Sequence, residues 1–263
     1  MRNIFIVFLF SFSLNSYGYR PSLSKIEYCQ NAKRPNYFKG LIGDISNRTY
    51  WPNGGGLLNL GVCWWHSRFL RAAIYLTSYR PELPPPSLSE AKEIIKRIRK
   101  RKSVVEIPGY SNFRSFSKDF KEEILKTLER WQLLDGLVFQ SWAIGLWGRS
   151  KTSPRSLKKK MDKLFRDVVV NKHISFQMLQ FKGIAAHSWL VYDMKKINQG
   201  YIVYVIDSNF FHGKTYVYQY GDTNFSYSDG TPFVPYLQKK WELKKIKKAI
   251  VKDCEVQWKT EFK

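Results

Sequence analysis

The chain has 263 residues, 44 of them Lys or Arg and 21 Asp or Glu, which gives a formal net charge of +23. It is 44% hydrophobic and 16% aromatic, which excludes a disordered chain and suffices for the core of one sizeable domain or two small ones. The positive charge favours anionic partners such as nucleic acid, anionic lipid, cell-wall polymer or acidic protein.

The first 18 residues have the pattern of a secretory signal peptide. Arg2 supplies a positive start, residues 4–14 form the apolar run, and Ser16 and Gly18 offer small residues for cleavage. The apolar run is too short to span a bilayer, and no later stretch approaches that length. We therefore expect a signal peptide over residues 1–18, secretion or a periplasmic location, and no transmembrane segment.

The next elements are helical. Glycine and proline punctuate residues 19–61, which predicts irregular structure. Residues 63–79 are apolar on nearly every side, which predicts a buried central helix. Ser87 and Glu90 form a capping box that starts another helix. Further helices are predicted over residues 117–134 and 154–170, and a strand over residues 104–107.

The pattern changes to strands after residue 172. Runs rich in β-branched and aromatic residues predict strands over residues 174–181, 187–194, 201–206 and 215–220. Because these runs follow one another closely, the sheet is expected to be antiparallel. A basic helix is predicted over residues 234–251. The sequence thus predicts an α+β fold with a helical half over about 57–172 and a sheet half over about 173–263.

Cys63 is the first candidate for chemistry, since it follows a glycine-rich loop and begins the central helix. Free N–H groups and the macrodipole at a helix N-terminus stabilise a thiolate and can hold an oxyanion. A small buried core residue is the alternative. A cysteine nucleophile also needs a base and a group that orients the base.

His187 is the best placed of the four histidines to act as that base. It begins a predicted strand, and the partner strand ends at Asp207. With a turn near residues 196–199, the two residues lie opposite each other in an antiparallel hairpin. A carboxylate there would hold the imidazole tautomer that faces the thiol. Asn209, two residues further on, is the alternative third residue.

The other cysteines predict a disulfide. An odd number of cysteines in an oxidising compartment leaves one free thiol. Cys29 and Cys254 lie near the two ends of the mature chain, and domain ends are often close in space, so we predict that they pair and leave Cys63 free. His66 lacks the further ligands that a zinc site requires, so a structural role is predicted for it and no metal or other cofactor is expected.

Three segments together resemble papain-like cysteine peptidases. GVCWWHS at residues 61–67 resembles the nucleophile segment, AHSWLVY at 186–192 the histidine strand, and VIDSN at 205–209 the segment of the third residue. The resemblance implies that residues 19–263 form one papain-like domain, with a helical half led by the cysteine helix and packed on the sheet half. It also implies that Cys63 is the nucleophile, His187 the base and then the acid, and Asp207 the orienting group.

The loop before Cys63 departs from the family pattern. The family's oxyanion glutamine lies six residues before the cysteine, where this chain has Leu57. Asn59 is the nearest side-chain amide and is the candidate oxyanion donor. The third segment also differs, since it is Asp-Ser-Asn. These departures resemble a divergent bacterial branch, closer to bacteriocin-processing peptidases or to transglutaminase-like proteins.

The expected function is a secreted thiol hydrolase that cleaves amide or peptide bonds. Its substrate would be a protein or a peptide cross-link, and an anionic cell-wall or envelope polymer is a further expected partner. The alternatives are a transglutaminase-like acyl transferase or amidase, and an inactive exported module that binds anionic polymers. No helix-turn-helix, zinc-finger or RNA-binding signature accompanies the charge, so nucleic acid is not an expected partner.

Overall fold

The computed structural model of the protein describes residue 21 and residues 24–54, 56, 61–137, 148–183 and 186–255. The predicted signal peptide, residues 1–18, and the predicted oxyanion donor Asn59 lie outside the described residues. The described chain has an α+β fold, so that part of the prediction is confirmed. None of its helices is both long enough and apolar enough to cross a membrane.

The helical part begins earlier than predicted. Helices α1 (Lys25–Asn31) and α2 (Tyr37–Gly43) and a 3-10 turn (Ile45–Asn47) occupy a stretch that was expected to be irregular. The Ser24 side chain caps α1 by accepting a hydrogen bond from the Glu27 N–H. The prediction was wrong because it gave more weight to the glycines and prolines of this stretch than to its apolar residues. Those apolar residues recur at helical spacing, and α2 buries them.

Helix α3 (Cys63–Leu76) runs through the middle of the domain, and every residue after Cys63 is buried. The predicted helix extended to residue 79, but residues Thr77–Arg80 form strand β1 instead. Strand β1 pairs in parallel with β2 (Val105–Pro108), and this pairing ends the helix at Leu76. Helix α4 (Leu88–Lys100) begins with the predicted capping box.

Two helices replace the single helix predicted over residues 117–134. Helix α5 (Phe113–Asp119) has Phe120 as its C-cap, and α6 (Lys121–Leu137) follows directly. The Asn112 side chain caps α5 by accepting a hydrogen bond from the Ser115 N–H, so this helix begins before the predicted start. Helix α7 (Pro154–Phe165) continues into a wider π-helical turn (Arg166–Val170), and together they match the predicted helix over 154–170.

The sheet has six antiparallel strands in the order β6-β5-β4-β3-β8-β7. The strands are β3 (Ser175–Gln180), β4 (Ala186–Ile197), β5 (Gly200–Asp207), β6 (Lys214–Gln219), β7 (Phe225–Ser226) and β8 (Pro232–Leu237). The predicted helix over residues 234–251 was wrong at its start, because helix α8 spans Lys240–Cys254. Pro235 disfavours a helix interior, and the apolar run around it pairs with β3 instead.

Helices cover both faces of this sheet. Alternate strand residues such as Phe176, Leu190 and Ile206 pack into the cluster that contains α3. The intervening residues, such as Trp189 and Val203, pack into a second cluster with α7. The two faces therefore have separate cores, and α7, which the sequence placed in the helical half, belongs structurally with the sheet.

A disulfide joins the two ends of the described chain. Cys29 on α1 and Cys254 in the last turn of α8 are bonded, with their Cα atoms 5.3 Å apart. Cys63 is the remaining cysteine and is free. The structure therefore places the three cysteines in the arrangement that the sequence predicts.

A buried ionic network joins α3 to its neighbours. Glu242 on α8 is fully buried and lies 2.6, 2.9 and 3.3 Å from guanidinium nitrogens of Arg68, Arg71 and Arg101, respectively. Burial alone would raise the pKa of Glu242, but the three guanidinium groups lower it below its ordinary value, so the carboxylate stays ionised. Arg68 also binds Asp135 on α6 at 2.6 Å. The network fixes α3 against α8 and α6.

We expect Glu242→Gln to lower the free energy of unfolding by about 3–5 kcal/mol, because it leaves buried guanidinium groups without their countercharge. Urea denaturation of the oxidised protein measures the change. Glu93→Gln is the control, since Glu93 is exposed and contacts Lys96 at the surface, where an ion pair contributes little. Equal effects of the two substitutions would contradict a structural role for the network.

Candidate active site

Cys63 lies where the buried central helix reaches the surface. It is the first residue of α3 and is partly exposed, whereas the residues that follow it are buried. Val62 occupies the N-cap position and offers no side-chain acceptor. The N–H groups of the first helical turn therefore have no side-chain cap and point toward the region of the thiol, where they can bind an oxyanion.

Hydrogen bonds fix the start of α3 against the start of β4. The Ser188 hydroxyl donates to the Cys63 carbonyl oxygen at 2.9 Å, and the Trp64 indole N–H donates to the His187 carbonyl oxygen at 3.0 Å. The Cys63 sulfur lies 3.9 Å from the Ala186 carbonyl oxygen. These contacts fix the position of Cys63 relative to the strand that carries His187.

His187 and Asp207 form a buried pair. The His187 Nε2 atom lies 2.6 Å from Asp207 Oδ1, and the two residues are 6% and 0% exposed. The contact does not arise in the predicted way, because the residue opposite Asp207 is Trp189 rather than His187. His187 is the diagonal neighbour, two residues away on the same face, and a diagonal neighbour remains within reach of a long side chain.

A β-bulge in β4 puts the pair on one face of the sheet. Near the turn Ile197 pairs with Gly200, and beyond the bulge at Tyr192 the register shifts by one residue. Without that shift His187 would be three residues from the position opposite Asp207 and would point to the other face. The bulge therefore decides whether the imidazole and the carboxylate can meet.

The Asp207 carboxylate accepts hydrogen bonds on both oxygens. Besides His187, the Asn209 backbone N–H donates to Oδ1 at 2.9 Å, and the Tyr227 hydroxyl donates to Oδ2 at 3.2 Å. Burial raises the pKa of Asp207, but His187 and then these two donors outweigh it, so the pKa is lowered and the carboxylate is ionised. Asp207, and not the alternative Asn209, is thus the residue that holds the imidazole.

The neighbouring Cys63 thiol also influences His187. Burial would lower the pKa of His187, but its hydrogen bonds to Asp207 and to the Cys63 thiol, with the charges of both groups, raise it to about 10. Asp207 occupies Nε2, so Nδ1 is the ring nitrogen left for the thiol. The structure therefore brings together all three residues that the sequence singled out: His187 binds Asp207, and Cys63 is near enough for its thiol to raise the pKa of His187.

The other histidines lie outside this arrangement. His66 is buried below Cys63 and contacts the Thr49 hydroxyl at 3.1 Å through Nε2, and burial lowers its pKa to about 4. His66 is thus buried and hydrogen-bonded within the helical part of the fold. His173 binds Asp167 at 2.8 Å in the second, α7-side part of the fold, and His212 is exposed. No group of three or more potential metal ligands occurs among the described residues.

Asn53 is a site residue that the sequence did not reveal. Its Oδ1 accepts a hydrogen bond from the Val62 N–H at 2.7 Å, and its Nδ2 donates to the Asn209 side-chain oxygen at 3.0 Å. Its backbone N–H donates to the Ser208 carbonyl oxygen at 2.6 Å. One residue thus ties the backbone just before Cys63 to the turn just after Asp207. In the sequence, Asn53 stands between proline and glycine and looks like an ordinary turn residue.

Gly61 makes room for this contact. Its φ angle is +83°, in the left-handed region, and a Cβ atom on it would lie 2.5 Å from Asn53 Nδ2. A side chain at this position would therefore displace Asn53 and, with it, the approach to Cys63.

The Tyr236 hydroxyl is a further donor on the Cys63 side of the sheet. Tyr236 and Cys63 pack against the same buried cluster. Burial and, after it, the charge of Cys63 raise the pKa of Tyr236 to about 12, so the phenol keeps its proton. The hydroxyl oxygen is buried and has no hydrogen-bond partner in the part of the chain that the structure describes.

Three comparisons with known proteins address the identity of the site. Comparisons with protein-family models, with curated proteins and with solved structures gave no match to this chain. The geometry of the described residues is therefore what any function of the site rests on.

The two buried histidines near Cys63 are expected to titrate at very different pH values. We expect NMR titration to find His187 protonated up to a pH of about 10 and His66 neutral down to about 4. Since the pKa of His187 is above its ordinary value of about 6.5, the stability it contributes is complete below that value and is lost as the pH rises through 10. Cys63→Ala should lower the pKa of His187 and leave that of His66 unchanged. An unchanged His187 would show that the thiol and imidazole do not interact.

Asn53 is expected to position the chain segment that leads to Cys63. We expect Asn53→Ala to slow the labelling of Cys63 by a peptide-based thiol probe roughly tenfold, because the approach to Cys63 is no longer tied to the Asp207 turn. Asn36→Ala is the control, since Asn36 is exposed and makes no side-chain cap bond. Equal labelling rates of wild type and Asn53→Ala, with both proteins folded by circular dichroism, would contradict a positioning role.

Proposed function

We propose that the chain is a secreted, papain-like thiol hydrolase that cleaves amide or peptide bonds through Cys63, His187 and Asp207. The observation that carries the proposal is the buried imidazole of His187, which binds Asp207 through Nε2 at 2.6 Å on a strand that is hydrogen-bonded to the start of α3 at Cys63 and Trp64. A cysteine at a helix start packed on an antiparallel sheet that holds the histidine is also the arrangement that the sequence resemblance implies.

The reaction begins with the thiolate. Proton transfer from Cys63 to His187 gives a thiolate and an imidazolium, which Asp207 stabilises through Nε2. The sulfur attacks the substrate carbonyl carbon and forms a tetrahedral intermediate with a negative oxygen. The Cys63 backbone N–H at the uncapped helix start supports that oxygen. Asn59 and the Tyr236 hydroxyl are the candidate side-chain donors.

The intermediate then collapses. His187 donates its proton to the leaving amine, the C–N bond breaks, and the acyl group remains on the Cys63 sulfur as a thioester. Neutral His187 next takes a proton from water, the resulting hydroxide attacks the thioester, and the carboxylic acid leaves with the thiol regenerated. Asp207 remains ionised throughout and keeps the imidazole orientation fixed.

The setting of the reaction follows from two further features. The pattern of residues 1–18 supports export, and the Cys29–Cys254 disulfide suits a secreted or periplasmic protein. The substrate is proposed to be a protein or a peptide cross-link. The net charge of +23 would concentrate the enzyme on anionic cell-wall or envelope polymers.

The test compares four proteins: wild type, Cys63→Ala, Asp207→Asn and His212→Ala. At neutral pH wild type should react with iodoacetamide and with a peptide-based thiol probe, and Cys63→Ala should not. Asp207→Asn should lower peptide turnover by about 10²–10⁴-fold, because the imidazole loses the carboxylate that orients it. His212→Ala is the matched control, since His212 is exposed and outside the site, and it should behave as wild type.

The products identify the acceptor. Mass spectrometry of the cleaved peptide should find a free carboxylic acid even when a primary amine is added. Predominant incorporation of the amine would instead identify an acyl transferase. A folded wild-type protein whose Cys63 is not labelled at neutral pH would contradict the hydrolase proposal and leave the exported binding module.

A further inference from the structure

An exposed patch of rings and cations flanks the candidate active site. Its three aromatic residues are each between 41% and 45% exposed, unlike most rings of this protein. Contiguous exposed apolar surface of this kind marks an interaction site more often than a single exposed ring does. The aromatic–basic patch consists of Tyr50, Phe210, Phe211, Arg114, Lys118 and Lys214.

The chain places this patch beside the Asp207 turn. Phe210 directly follows Asn209, and its backbone N–H donates to the Asp207 carbonyl oxygen at 3.1 Å. Tyr50 precedes Asn53 by three residues, and Asn53 in turn binds Ser208. A ligand on the patch would therefore lie next to the residues that hold the imidazole.

The cations of the patch lie over rings. The Lys214 nitrogen is 3.8 Å from the ring centroid of Phe210. The Arg114 guanidinium carbon is 4.9 Å from the Tyr50 centroid and 6.0 Å from that of Phe211. The Lys118 nitrogen is 5.4 Å from the Tyr50 centroid. Rings orient these charges without neutralising them.

None of these three cations forms a salt bridge with a carboxylate in the described ranges. Arg114 also donates to the Thr49 carbonyl oxygen at 3.2 Å, which fixes its position. Three oriented positive charges beside exposed rings would therefore suit a ligand that is both anionic and partly apolar.

We propose that the aromatic–basic patch binds an acidic segment of the peptide substrate, so that carboxylates meet the cations and aliphatic side chains meet the ring edges. This inference rests on the proposed hydrolase function. Single-stranded nucleic acid also binds basic, aromatic surfaces, but it does so by stacking bases on ring faces. Here cations already cover faces of Tyr50 and Phe210, which favours a peptide.

A second basic surface supplies a matched control. Lys92 on α4 and Lys126 on α6 line a cavity of about 560 Å³ between these helices, and none of the described residues that line it is aromatic. Neither lysine contacts Cys63, His187 or Asp207 in the described structure. The pair Lys92→Gln and Lys126→Gln therefore removes two charges, as the pair Lys118→Gln and Lys214→Gln does, but away from the patch.

The experiment measures peptide binding to the full chain carrying Cys63→Ala, so that no turnover occurs. The probes carry a neutral fluorophore: an octapeptide of alternating Leu and Glu, the same peptide with Gln in place of Glu, and an eight-nucleotide oligothymidine. Fluorescence anisotropy should show tighter binding of the Glu peptide than of either other probe. Lys118→Gln with Lys214→Gln should weaken that binding by roughly fivefold or more, and the control pair should leave it unchanged.

Three outcomes would overturn the inference. Equal weakening by the two double variants would show attraction to net charge alone. Equal affinity for the Glu and Gln peptides would exclude recognition of acidic side chains, and tightest binding of oligothymidine would assign the patch to nucleic acid. Matching thermal unfolding of both variants controls for folding. Probe labelling of wild-type Cys63 tests the hydrolase separately, so failure of one does not imply failure of the other.

Discussion

The buried central helix is the constraint on which the rest of the structure depends. Helix α3 is covered on all sides after Cys63, although it carries Arg68 and Arg71. Two buried guanidinium groups require a countercharge, and Glu242 on α8 supplies it. The same ionic network that stabilises the core therefore also holds the helix whose first residue is the candidate nucleophile. The Cys29–Cys254 disulfide also links α8, which carries Glu242, to α1.

The two buried histidines near Cys63 show how partners decide protonation. Burial lowers the pKa of both. For His66, which hydrogen-bonds the Thr49 hydroxyl, burial prevails and the pKa falls to about 4. For His187, an ionised carboxylate and the thiol outweigh burial, and the pKa rises to about 10. One imidazole is thereby a neutral structural group, and the other can hold and release the proton that thiol chemistry needs.

Much of the fold was predictable because local patterns agreed with tertiary packing. The apolar helix after Cys63, the capping box at Ser87 and the four strands from β3 to β6 occur where the sequence predicts them. The errors have a common cause. Residues 234–237 join β8 and residues 77–79 join β1 because pairing with distant strands overrides local preference. Helices α1 and α2 were missed because they are short and lie among glycines and prolines.

The sequence by itself identified the candidate catalytic residues: a cysteine at a helix start, a histidine at a strand start and an aspartate at the end of the partner strand. Only the tertiary structure decided whether these side chains come close together. The bulge at Tyr192 sets the register, and a one-residue shift changes the face to which His187 points. Asn53 likewise joins segments that are distant in the sequence, and no local pattern records such contacts.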